Sequence, residues 1–149
     1  MSHKGIRTLI EKTVLKLQDD VQFTYGNDTD FNQSPKKANL LVHLDPLFAT
    51  PQYVVNGTQN YMKAWSVALT FLMVGKSSSL TYFEILDVCD SHIDRFVNDL
   101  NFFSVKSDQF ILRGFGQEPR IKVFADILTG FTLRFELFAN DDFDYCPEC

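Results

Sequence analysis

A chain of 149 residues with 45% hydrophobic and 22% charged residues fits one domain with its own core, which excludes most multidomain enzymes and a disordered segment. Fourteen Lys and Arg against nineteen Asp and Glu leave a formal net charge of −5. With no basic cluster denser than Lys36-Lys37, that balance argues against specific nucleic-acid binding, and no apolar run reaches the roughly 18 residues of a membrane span.

The first element is a surface helix, in which Ile6, Leu9, Ile10, Val14 and Leu17 recur at helical spacing and Arg7, Glu11, Lys12 and Lys16 take the other side. It follows directly on Met1-Ser2-His3-Lys4-Gly5, so no secretory signal is expected. A strand is predicted over 20–25, a polar loop over 26–35, and a buried strand over 39–44 that Asp45-Pro46 ends. A second loop is expected to run to about residue 60, with Asn56-Gly57 as a turn signal able to fold it into a small hairpin. Residues 61–75 alternate as one long strand, with Trp65, Val67, Leu69 and Phe71 on one face and Ala64, Ala68 and Leu72 on the other. After the break at Ser77-Ser78-Ser79, Thr81 and Glu84 form a capping box for the central core helix, whose stripe is Leu86, Cys89, Ile93, Phe96, Val97 and Leu100.

Short strands are then predicted at 110–113 and 120–125, flanking a turn at Gly114-Phe115-Gly116. The cleanest alternation follows, Phe131, Leu133, Phe135 and Leu137 against Thr132, Arg134, Glu136 and Phe138. The order α, β, β, β, α, β, β, β predicts one α+β domain over residues 1–149, a mainly antiparallel sheet with two main helices packed on one face. Residues 140–149, with Asp141, Asp142, Asp144 and Glu148 and no base, are expected to form an acidic, flexible tail.

Chemistry-bearing patterns are sparse. His3, His43 and His92 lie in three different elements without ligand spacing, and His43 reads as a satisfied or edge-exposed strand residue. Gly75-Lys76-Ser77 lacks the earlier glycine of a phosphate loop. Asp87, Asp90, Asp94 and Asp99 read as a solvated helix face rather than a cation site. Cys146-Pro147-Glu148-Cys149 has redox or half-zinc spacing but neither a helix behind it nor two further ligands; intersubunit zinc or a disulfide stands against an unpaired polar tail. No cofactor, metal or catalytic set is therefore expected, and the chain reads as a non-enzyme.

Fifteen Phe, against one Trp and five Tyr, either fill the core or serve a partner surface. Phe48, Phe138 and Phe143 have no evident intrachain burial. The loop carrying Phe48, Tyr53 and Val54 either contacts a partner or folds back on its own domain. Phe48, Tyr53, Val54, Phe138 and Phe143 are the candidate interface.

The element order, together with Asp126-Ile-Leu-Thr-Gly-Phe-Thr-Leu-Arg-Phe-Glu-Leu137 and a polar end containing Tyr145-Cys146, resembles the tail-terminator and tail-completion (neck) proteins of tailed bacteriophages. The resemblance implies a structural, non-enzymatic virion protein, assembled in the host cytoplasm into a homo-oligomeric ring. That ring would cap the tail tube or join it to the head, alongside other tail or neck proteins and without a membrane. An acidic lumen lined by Asp141, Asp142 and Asp144 would repel passing DNA. The alternatives are a protein-binding adaptor of non-viral origin and a small α+β ligand-binding module.

Overall fold

The computed structural model describes residues 2–27, 39–55, 59–74, 82–107, 110–122 and 128–140. Helix α1 spans His3–Leu15 and starts where the Ser2 hydroxyl accepts from the Gly5 amide at 3.0 Å, satisfying one of the first-turn donors. Its Ile6, Leu9, Ile10 and Val14 are buried, as the periodicity predicts. Strands β1 (Val21–Tyr25), β2 (Leu40–Leu44), β3 (Phe48–Val55) and β4 (Gln59–Val74) follow, then helix α2 (Tyr82–Ser107) and strands β5 (Phe110–Lys122) and β6 (Leu128–Asn140).

The strands form one sheet in the order β1-β2-β4-β6-β5, with β3 paired to β4 beyond the end of β2. Among the described residues only β1 and β2 run parallel; every other described pair is antiparallel. The fold is thus α+β with a mainly antiparallel sheet, as expected. Strand β4 is long enough to serve two neighbours on one edge: residues 69–73 pair with β2, and residues 59–66 pair with β3. The chain crosses from one to the other where the Asp45 amide donates to the Ala68 carbonyl at 3.0 Å.

One face of the sheet carries Leu40, Val42, Leu44, Trp65, Val67, Leu69, Phe71, Leu133, Phe135 and Leu137, and both helices press on it in a single core. Ile93, Phe96 and Leu100 of α2 are fully buried there. Arg95, off that stripe, donates through Nη1 to the Leu17 carbonyl at 2.9 Å and ties α2 to the end of α1. The stripe begins one position earlier than the sequence indicates, at Ile85, with Leu86 only half-buried.

Two expectations are corrected. The loop predicted up to residue 60 is strand β3, in a hairpin with the start of β4. It was unrecognisable as a strand because Pro51 interrupts it, and an edge strand with only one neighbour tolerates a proline. The two short strands around Gly114 are one continuous β5, and the supposed turn is a bulge between Arg113 and Gly116. Gly114 takes φ +70, the left-handed conformation that absorbs the extra residue without breaking the pairing. Thr81, Gly75-Lys76-Ser77, Asp141, Asp142, Phe143, Asp144, Cys146 and Cys149 lie outside the described residues, so the capping box and the acidic tail lie there too. Asn140, taken as the start of that tail, is the last residue of β6.

Candidate interaction surfaces

Strand alternation sends the second face of the sheet away from the helices. Its register defines two rows across β3, β4, β6 and β5: Phe48, Ser66, Glu136, Arg113 and, beside it, Thr50, Ala64, Phe138, Ile111. Phe48 is 69% exposed and Ile111 48% exposed. Phe138, expected to lack cover within the chain, is buried, with the Arg113 guanidinium 5.3 Å from its ring centroid. Phe48 borders a shallow groove of about 300 Å³ whose walls include Asp45, Ser66, Ala68, Arg134 and Glu136; Ile111 stands outside it on β5, with β4 and β6 between the two. Tyr53 and Val54 lie on β3, opposite Tyr61 and Asn60 of β4.

A different apolar surface lies on α2. Phe102 is 71% and Val105 74% exposed, three residues apart and hence neighbours on the helix surface away from the Ile93, Phe96 and Leu100 stripe. Sequence reasoning missed this pair because it ended the helix pattern at Leu100. Carried one turn further, the same periodicity places Phe102 and Val105 off the core face.

Between α2 and the bulge of β5 lies a cleft of about 440 Å³, lined by Asp94, Val97, Asn98, Phe115, Gln117 and Leu133. The bulge produces it: the extra residue leaves Phe115 half out of the sheet, its ring stacked on Phe135 at 5.3 Å between centroids and 29° between planes. A carboxylate, two carboxamides and an aromatic ring therefore converge on one opening.

The histidines lie in three separate environments. His43 is buried and satisfied, its Nδ1 2.7 Å from the Thr24 hydroxyl and its Nε2 2.8 Å from the Gly26 carbonyl, with Asp45 Oδ1 at 3.6 Å. His3 meets Trp65 edge to face at 4.6 Å, and burial, with the Arg95 cation adding to it, holds His92 below its ordinary value. Among the described residues no three His, Cys, Asp or Glu side chains gather closely enough to hold a metal ion, and no described helix is long and apolar enough to cross a membrane.

Cys89 is fully buried, and burial pushes its thiol up to about 12. Two outcomes are expected. The native thiol resists iodoacetamide at neutral pH and reacts once the chain is denatured. Because its pKa is raised in the folded state, its contribution to stability is complete below the unfolded value near 9 and is lost as pH rises toward 12. Urea midpoints at pH 8 and pH 10, compared with those of Cys89→Ala, check this; equal pH dependence in the two proteins would contradict it.

No protein-family model and no curated protein sequence matches the chain.

Proposed function

We propose that this chain is a structural subunit that assembles head to tail into a ring, in the manner of the tail-terminator and neck proteins of tailed phages, and acts in the virion rather than as an enzyme. The observation that carries this reading is the presence of unlike exposed apolar groups on opposite layers: Phe48 and, across β4 and β6 from it, Ile111 on the open sheet face, and the adjacent Phe102 and Val105 on the outer side of α2. A two-fold dimer covers one self-complementary patch; two different patches on opposite sides suit a heterologous contact, which repeats until it closes a ring. Two of the sheet edges are poor alternatives, since Pro51 removes a donor from β3 and the bulge distorts β5.

Light scattering during size exclusion tests it. The expected wild-type mass is several times 17.1 kDa, and Phe48→Ser or Phe102→Ser is expected to weaken association about tenfold or more while the monomer stays folded by circular dichroism. A wild-type monomer at high concentration, alone and with tail or neck proteins, would overturn the reading and favour an adaptor.

A further inference from the structure

We propose that the cleft between α2 and the bulge of β5 is a socket for Arg134 of a neighbouring copy, which rests on the head-to-tail reading above. The socket's chemistry fits a guanidinium. The Asp94 carboxylate supplies the counter-charge, the Asn98 and Gln117 carboxamides supply acceptor oxygens, and the Phe115 ring supplies a flat face for stacking. A lysine would use the charge but not the plane.

Arg134 is the arginine placed to fill it. It is exposed on the open sheet face, opposite Gly116 in register, and it lines the groove beside Phe48. Leu133, the preceding residue, lines the socket on the other face. Successive strand residues point to opposite sides of a sheet, so plug and socket stand back to back at one place in β6. A chain therefore cannot fill its own socket. Nor can two copies satisfy both sites reciprocally across a two-fold contact, because each presents plug and socket in opposite directions. The contact must run one way, each copy giving Arg134 to the next.

The apolar surfaces agree with that pairing in spacing as well as sign. From Arg134 to Phe48 is two strand spacings across and two residues along the sheet, roughly 12 Å. From Asp94 to Phe102 is eight residues of helix, about 12 Å. Seating Arg134 on Asp94 thus brings Phe48 within reach of Phe102. The charge match is local: α2 presents Glu84, Asp87, Asp94 and Asp99 as exposed acids, and Arg134 is the cation of the incoming groove, with Asp45 and Glu136 beside it.

Mixing of two blocked proteins tests the direction of the contact. Arg134→Ala removes the plug and keeps the socket; Asp94→Arg blocks the socket and keeps the plug, and the two substituted positions carry no opposite charges that could pair with each other. Each alone is expected to run as a folded monomer by light scattering and circular dichroism, and an equimolar mixture is expected to stop at a 1:1 dimer, since only one productive contact can form. Both positions are exposed, and Arg134→Gln and Asp94→Asn serve as milder variants should either substitution fail to fold. If the wild type assembles and the variants assemble equally well, the socket assignment falls while the ring reading stands. If mixing yields no dimer from two folded monomers, the one-way contact falls. If the wild type itself does not assemble, the head-to-tail reading falls and takes the socket with it.

Discussion

Replacing Gly130 by alanine is expected to destabilise the protein by about 3 kcal/mol, at the upper end of what overpacking costs. Gly130 is buried in β6, where it pairs with Leu72 of β4 on one side and Arg120 of β5 on the other. A Cβ added there would overlap the carbonyl oxygen of Phe71 and approach the Leu72 Cα to 3.0 Å. Those are main-chain atoms of the neighbouring strand, so no side-chain rotation relieves the clash. The ladder between β4 and β6, which pairs thirteen residues of each strand from Met62↔Asn140 to Val74↔Leu128, has to open locally. Thermal denaturation should show the midpoint falling by about 10 °C. Gly116→Ala is the control, because nothing lies within 4 Å of its added Cβ; its midpoint should barely move. Equal midpoints for the two variants would contradict the close approach of β4 and β6.

The sheet and its helices were legible in the sequence where one face of an element is buried and the period is therefore enforced. Ile6, Leu9, Ile10 and Val14 of α1, Trp65 to Phe71 of β4, and Leu133 to Leu137 of β6 all alternate or recur as burial demands. The sequence predicts two helices and six strands, and the described residues hold two helices and six strands, but the strand count agrees only through compensation: the sequence reads β3 as loop and divides β5 in two. Both departures come from residues whose local preference is overridden by tertiary context. Pro51 is tolerated because β3 has a single neighbour, and the glycine-flanked Phe115 is carried by a bulge rather than a turn. The same bulge creates the cleft, so a site that depends on it could not be seen in the periodicity. Phe138 shows the converse limit. Its exposed-looking place at a chain end is covered by Arg113, which lies 25 residues earlier in sequence and reaches it only through the pairing of β5 with β6.

Phe96 and Phe102 lie six residues apart on one helix and should respond in opposite ways to the same substitution. Phe96 is fully buried, its ring 5.8 Å from Phe71 on β4 and 6.3 Å from Phe135 on β6. It fills the space where α2 crosses the two central strands, and the surrounding side chains are held by sheet pairing and cannot collapse into the gap. Phe96→Ala is therefore expected to cost about 3 to 5 kcal/mol, the sum of lost transfer free energy and the cavity left behind. Phe102, 71% exposed, has no such contacts to lose, and Phe102→Ala should leave monomer stability within about 0.5 kcal/mol of wild type. Chemical denaturation under conditions where the protein is monomeric separates the two, and light scattering under assembling conditions reverses their order: Phe102→Ala loses association while keeping its fold. Were Phe102→Ala to destabilise the monomer as Phe96→Ala does, the outer side of α2 would be packed within the chain and unable to serve a neighbour. The phenylalanines of α2 therefore divide by position on the helix: Phe96 on the core stripe holds the sheet and α2 together, and Phe102, one face away, stands exposed where the proposed contact would use it.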